Sequence, residues 1–262
     1  MFSNAIDAAA VTPRPVAAGH PAYEEAHSGT RQRAERHISG TLQLLSATLA
    51  PRRRIVRAGD AIYRVGERFD YLYVLNSGFF KSVNLSPDGR EQVVGLKFRG
   101  DWLGFDGIAG QRYSCDAIAM DIGETWGFRY DMLLAACAVR PELLAAVCEA
   151  MSREIARDHD TLMSVCTLPA DARVADFLCN WSEAMASRGM RTDQISLRMS
   201  RAEIGSYLGM TLESVSRALS RLARNRLIDF AENDRRAIRI SHLEALADFV
   251  QGCLSPASAT LQ

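Results

Sequence analysis

The residues from Ser196 to Arg226, SLRMSRAEIGSYLGMTLESVSRALSRLARNR, decide how the rest of the chain is read. Ser200 is followed three residues later by Glu203, a capping box, so a helix is expected to start there. Ile204 and Leu208 form its inward face, and Gly209 permits the left-handed backbone that ends it. Thr211 then caps a second helix, in which Val215, Ala218, Leu219 and Leu222 recur at helical spacing. Its outward face carries Glu213, Ser214, Ser216, Arg217, Ser220, Arg221 and Arg224. This is the pattern of a helix-turn-helix whose second helix enters the major groove of DNA. Two ordinary amphipathic core helices would share the spacing, so the outer side chains separate the two readings. Glutamate can accept from cytosine N4, and arginine can donate in bidentate fashion to guanine O6 and N7. Glu213 and Arg217 lie one turn apart on one face; the alternative is that they pair with each other.

Charge favours the DNA reading. The chain of 262 residues is neutral, with 31 basic and 31 acidic residues. Between Arg198 and Arg239 stand nine arginines against five acids, an excess of four. A local basic patch on a neutral chain is the electrostatic footprint of a nucleic-acid-binding domain.

The length allows two domains with their own cores. No apolar run approaches the roughly 20 residues of a membrane span, and no secretory leader is seen at the N-terminus, so the cytoplasm is expected and a membrane partner is not. The six cysteines (115, 137, 148, 166, 179, 253) show no CxxC pair, against a structural zinc site or a disulfide framework. Buried reduced thiols are expected. No nucleophile–base constellation, metal-ligand cluster or phosphate loop stands out, so enzymatic activity is not expected.

Upstream of the helix pair, residues 1 to about 30 are rich in Ala, Pro, Gly and Ser without a stable period, and a weakly ordered tail is expected. Arg31 to Leu49 can form a helix packing onto the β-rich segment after it. From Arg53 to Phe128 short β-rich runs alternate with glycines, and Ser86-Pro87-Asp88-Gly89 is a hairpin turn. Many short strands imply a sandwich or β-roll, whose interior can hold a ligand or be filled by side chains. Tyr130 to Cys166 turns helical, with Pro141 suited to a first turn. Leu144, Val147, Met151, Ile155, Asp158, Leu162 and Val165 then recur at coiled-coil spacing. A second copy of the chain is the natural partner for that stripe; packing within its own chain is the alternative. Asp158 would meet its own copy across a two-fold seam and weaken it, or turn to solvent, or pair with Arg157 or His159. Pro169 is a hinge, Asp171 can cap the next helix, and Val174, Phe177, Leu178 and Trp181 face inward. After Arg226, LIDFAENDRRAIRIS reads as a hairpin wing turning at Glu232-Asn233-Asp234, with Arg235 and Arg236 available for phosphates.

A β-rich sensor, a long dimer helix and a C-terminal winged helix-turn-helix, in that order, resemble the Crp/Fnr family of transcription regulators over about residues 40–250. GDWLGFDGIAG (100–110), SREIARDHD (152–160) and RAEIGSYLGMTLESVSR (201–217) are similar to the Fnr branch. The resemblance implies an α+β fold: a cyclic-nucleotide-binding-like jelly-roll domain (39–131) after the tail (1–38), a helical linker with the dimer helix (132–168), the winged helix-turn-helix (169–250) and a tail (251–262). It implies a homodimer on a palindrome of the TTGAT…ATCAA type. Glu213 and Arg217 would read the C·G pair and Ser216 the neighbouring bases, while Arg201, Thr211 and Ser214 match phosphate-contacting positions. Leu212 stands where the cAMP-responsive branch has a base-reading arginine. Activation is implied, with barrel loops such as Ser86–Arg90 touching RNA polymerase. The oxygen-sensing members hold an iron–sulfur cluster through N-terminal cysteines and one in the barrel. Here the first 114 residues contain no cysteine, and the barrel position falls at Trp126 or its neighbour. A cubane cluster needs about four thiolates, so no such cofactor is expected. The family's nucleotide cassette, Gly-Glu then Arg-Ser, is replaced by Gly104-Phe105 and Tyr113-Ser114, with Arg112 one place off. No pattern supports haem at His20, His27 or His37. Oxidation of Cys179 stays open beside a buried thiol there.

Overall fold

The computed structural model describes residues 21–86, 89–192, 194–231, 234–240 and 242–254. Helix α1 (Pro21–Thr48) opens the described chain; it includes most of the helix expected over Arg31–Leu49 and starts before Arg31, inside the segment read as a tail. Its C-terminal half is anchored by the buried Leu42 and Leu45. Once a helix is nucleated, each added residue costs little, so it propagates back through the Ala- and Glu-bearing segment to a proline suited to the first turn.

Eight short strands come next: β1 (Arg52–Val56), β2 (Ala61–Tyr63), β3 (Tyr71–Ser77), β4 (Phe80–Leu85), β5 (Glu91–Lys97), β6 (Trp102–Leu103), β7 (Asp116–Ala119) and β8 (Gly123–Arg129), with the one-turn α2 (Gly107–Gly110) after β6. They form two antiparallel four-stranded sheets, ordered β1-β8-β3-β6 and β2-β7-β4-β5. The inward residues of both sheets, among them Leu72, Val74, Phe80, Trp102, Leu103 and Phe128, fill the interior. This is a jelly roll packed with side chains. Its corner needs glycine: a Cβ at Gly78, which has φ +93°, would stand 2.7 Å from Gly123 Cα. The two-residue β6 was not expected, because its strand character exists only in pairing with Tyr73 and Val74. The turn of the expected hairpin at Pro87 and Asp88 lies outside the described residues.

Helix α3 (Tyr130–Val139) leads into α4 (Pro141–Thr167), with Pro141 in the first turn. One face of α4 lies on the roll. Leu143 and Ala150 are buried there, Glu154 meets Lys97 at 2.6 Å, and Arg157 meets Asp101 at 2.8 Å. The chain then bends at Leu168 and Pro169 into α5 (Ala170–Ala186), whose Val174, Phe177, Leu178 and Trp181 are buried as expected. Asp171 does not cap α5. The N-cap is Pro169, and Asp171 sits in the first turn, where it binds Arg221. That position still suits an acid, since the helix dipole favours it.

The C-terminal part comprises β9 (Gln194–Ser196), α6 (Arg201–Leu208), α7 (Leu212–Arg224), β10 (Asp229–Ala231), β11 (Asp234–Arg239) and α8 (Leu243–Leu254). The wing hairpin β10–β11 is completed by β9 into a three-stranded sheet; β9 was not expected. Residues 232 and 233 of the wing turn, and the side chains of Arg235 and Arg236, lie outside the described residues. α8 runs past residue 250 to Leu254.

Helix α6 docks on β5, an edge strand of the roll. Ser206 Oγ accepts from Val93 N–H at 2.9 Å and donates to the Glu91 carbonyl at 3.2 Å. Lys81, buried in β4, is paired with Glu203. Arg198 reaches Asp121 at 3.0 Å, and Arg188 reaches the buried Asp101 at 3.0 Å. Polar groups of the edge that would otherwise lie open are thereby satisfied.

Candidate nucleic-acid interface

The first helix of the pair is set by its cap. Ser200 Oγ accepts from Glu203 N–H at 3.2 Å, and the Glu203 carboxylate accepts from Ser200 N–H at 2.7 Å. Burial by itself would raise the Glu203 carboxyl; the Lys81 ammonium and the Ser200 N–H outweigh it and hold it below its usual value. Gly209 ends α6 at φ +63°. A second glycine, which the sequence reading passed over, sets the tightness of the turn: a Cβ at Gly205 would stand 2.6 Å from the Met210 carbonyl oxygen. Thr211 caps α7, its hydroxyl accepting from Ser214 N–H at 3.2 Å.

Val215, Ala218, Leu219 and Leu222 are each 2 % exposed or less, which fixes the rotation of α7 about its axis. Glu213 and Arg217 therefore stand on the open side, and Ser216 is half-buried between them. The two charged residues do not pair. Arg217 Nη2 lies 3.4 Å from Ser214 Oγ. The Glu213 carboxyl is lowered by its own backbone N–H, the Thr211 hydroxyl and, last, the charge of Arg217, so it is an acceptor at neutral pH. Arg201 begins α6, its guanidinium 5.7 Å from the Phe230 ring centroid. Thr211 and Ser214 spend their hydroxyls on the N-terminal turn of α7, at 3.1 Å from each other. Backbone N–H groups at a helix start of this kind suit a phosphate.

Two of the nine arginines of the basic segment are already matched by acids outside it: Arg198 by Asp121 and Arg221 by Asp171. Arg221, expected on the outward face of α7, is thus committed to α5. Among the described side chains, Arg217, Arg224 and Arg226 stand exposed on α7 and just after it.

Comparison with known proteins agrees with this architecture. The cyclic nucleotide-binding domain profile matches residues 53–140, and the Crp-like helix-turn-helix domain profile matches residues 172–249. The transcriptional activator protein Anr of Pseudomonas protegens is 33% identical over 180 residues, 69% of this chain and 74% of that protein. The fumarate and nitrate reduction regulatory protein of Yersinia pestis is 31% identical over 196 residues, 75% of this chain and 77% of that one. The chain belongs to the Crp/Fnr family of transcription regulators. The structure of FixK2 from Bradyrhizobium japonicum superposes with a TM-score of 0.69 at 26% identity, covering 76% of this chain and 97% of that one.

For a Crp/Fnr regulator the roll interior is the place to test for a cyclic nucleotide, and the residues there do not fit one. Ser114 donates its N–H at 2.7 Å and its hydroxyl at 2.9 Å to the Asp106 carboxylate. A phosphate seeking those two donors would have to displace a carboxylate. Tyr113 is buried, stacks on Tyr63 with centroids 3.8 Å apart, and donates its hydroxyl to the Tyr71 carbonyl at 2.7 Å. Arg112 donates to the Gly66 carbonyl at 2.6 Å. Phe105 stacks with Trp102.

The thiols offer little more. Burial pushes Cys115 and Cys179 up to about 12 each, with Asp106 and Asp176 respectively adding to it, so their thiolates are disfavoured. Cys148 and Cys166 are exposed on α4. His37 lies 3.2 Å from Glu149. His20, and the side chain of His27, lie outside the described residues. No described helix is long and apolar enough to cross a membrane.

Proposed function

We propose that this Crp/Fnr regulator is a cytoplasmic, homodimeric activator that reads a TTGAT…ATCAA-type palindrome without an iron–sulfur cluster. The observation that carries the reading is α7 itself. Its apolar face is locked into the core, and its open face presents an ionised Glu213 and an Arg217 that are not paired with each other. Glu213 accepts from cytosine N4, Arg217 donates to the guanine of the same pair, and Ser216 touches the adjoining bases. Arg201, Thr211 and Ser214 hold phosphates at the edge of the groove. Two copies place two such helices one helical turn of DNA apart.

The dimer is built on α4. Leu144, Met151, Ile155 and Leu162 are exposed hydrophobics in the single chain, and Asp158 is exposed among them. Val147 and Val165 are half-buried within their own chain, Val147 against the roll core. Arg157 is bound to Asp101 at 2.8 Å and also feels the charge of Asp158. Asp158 then faces its own copy, and like charges there keep the dimer marginal. The domains divide at about residues 39–131, 132–168 and 169–250. Activation rests on the likeness to the activator Anr, with the Ser86–Arg90 loop touching RNA polymerase.

The donor set supports the absence of a cluster. The first cysteine is Cys115, and the six cysteines form no CxxC pair. The test is a titration of protein purified in air, without added ligand, onto a TTGAT…ATCAA duplex and a C·G-scrambled control at fixed salt. Specific binding is expected. Binding that prefers neither duplex would sink the assignment.

A further inference from the structure

Along α4 the stripe read from spacing breaks step at Val147. Counting Val147 leaves two successive steps of four, from Val147 to Met151 and on to Ile155. Val147 is half-buried and packs against the roll core. Cys148, one place on, restores the step. Leu144, Cys148, Met151, Ile155, Asp158 and Leu162 then follow at intervals of four, three, four, three and four. This is an unbroken heptad alternation, which keeps one seam turned toward a partner helix. All six residues are exposed in the single chain. Spacing and exposure therefore agree on Cys148, and not Val147, as the seam residue of that layer.

In a two-fold parallel pair each seam residue meets its own copy. Helix axes about 10 Å apart, with Cα atoms about 2.3 Å from each axis, bring facing Cα atoms to roughly 5–6 Å. A disulfide bridges Cα separations of about 4.4–6.8 Å. The other exposed thiol of α4, Cys166, follows Val165 and stands one place beyond the seam. Cys137 of α3 is the rival partner within the chain. It is buried, and burial first, then the neighbouring Cys148, push its thiol up, so its thiolate is disfavoured.

We propose that Cys148 is a redox modification site: peroxide links the Cys148 thiols of two copies across the seam and turns a marginal dimer into a covalent one. Such a link rests on the parallel α4 dimer of the proposed function. The Cys148 thiolate attacks a peroxide oxygen and the O–O bond breaks. The sulfur becomes a sulfenic acid, and the departing hydroxide takes up a proton to become water. The Cys148 thiolate of the second copy then attacks that sulfur, the S–O bond breaks, and hydroxide again leaves as water. Two thiols lose two electrons, and one peroxide is reduced to two waters. Asp158 favours the first step, because like charges in the seam let the copies part and open the thiol to peroxide. A pair that is reduced in the cytoplasm and closes only under oxidation is of the transient, sensing kind.

The test is non-reducing electrophoresis and peptide mass mapping of the full chain after hydrogen peroxide, beside sedimentation of the reduced protein. The parent, Cys137→Ser and Cys166→Ser are expected to give a covalent dimer with two Cys148 peptides joined by a disulfide, reversed by dithiothreitol. Cys148→Ser is expected to give none. Ile155→Glu keeps the thiol but opens the seam, and should link at least about tenfold more slowly than the parent. An unlinked parent, at a concentration where the reduced protein sediments as a dimer, overturns the proposal and leaves the dimer standing. So does a Cys137–Cys148 link within one chain as the sole product, or a covalent dimer undiminished in Cys148→Ser. Equal rates in the parent and Ile155→Glu overturn it too, since the thiols would then meet by collision. A reduced parent that stays monomeric at every concentration overturns both the α4 dimer and its link.

Discussion

Arg217 can be spent on a base because the structure gives it so little else to do. Its one described contact is Ser214 Oγ at 3.4 Å, at the outer limit of a hydrogen bond. Arg217→Ala should cost about 1–3 kcal/mol of binding on the palindrome and relax discrimination at the C·G pair. Parallel titration of palindrome and scrambled duplexes checks this, the two affinities converging in the variant. Asp101 is the opposite kind of residue. It is buried and holds Arg157 and Arg188 together. Asp101→Asn leaves those guanidiniums uncompensated and should destabilise the fold by about 3–5 kcal/mol in denaturant unfolding. Burial would raise the Asp101 carboxyl, but the two arginines hold it below its usual value. Such a group stabilises fully above its unfolded value, near pH 4, and its contribution is lost as pH falls through the lower folded value. The Asn variant should therefore lose less stability than the parent between pH 6 and pH 3, measured by thermal melts. The placement of Glu213 and Arg217 on one open face was readable because it is local, four residues apart on one helix. The roles of Asp101 and Asp106 were not, because their partners Arg188 and Ser114 are fixed only by the fold.

Helix α4 shows how far periodicity reaches. Its stripe was legible because heptad spacing needs no partner to be seen, and Leu144, Met151, Ile155 and Leu162 do stand exposed in the single chain. What spacing could not show is that Val147 and Val165 turn partly inward, since that depends on where the roll and α6 sit. Ile155→Glu places a charge in the proposed seam and should shift sedimentation to the monomer. Asp158→Ala should do the reverse and tighten the dimer; unchanged sedimentation would contradict the marginal-dimer account. Strands β6 and β9, only two and three residues long, mark the other limit. Too short to carry an alternating pattern, they exist through pairing with β3 and β11. The capping box at Ser200 and the glycine at 209 were readable for the opposite reason. A cap is local chemistry, complete within four residues.

At the scale of the whole molecule, order along the chain was readable and contact between domains was not. Nothing in the spacing of Lys81 or Ser206 announces that α6 lies on the edge strand β5. Yet Ser206 serves two backbone groups of that strand, and Lys81 is buried against Glu203. Ser206→Ala should cost about 1–2 kcal/mol at this contact and speed hydrogen exchange at the Val93 amide, with the melting of the rest of the roll little changed. The docked arrangement leaves the outward face of α7 open, and the proposed function depends on that face reading sequence. The measurement that tests it most directly crosses protein and DNA. The affinities of the parent and of Arg217→Ala are determined on the TTGAT…ATCAA duplex and on one with the C·G pairs exchanged, at one salt concentration. Exchanging the base pairs is predicted to weaken the parent strongly and the variant hardly at all. An equal loss for both proteins would contradict base reading by Arg217, since that residue would then not be in contact with the pair.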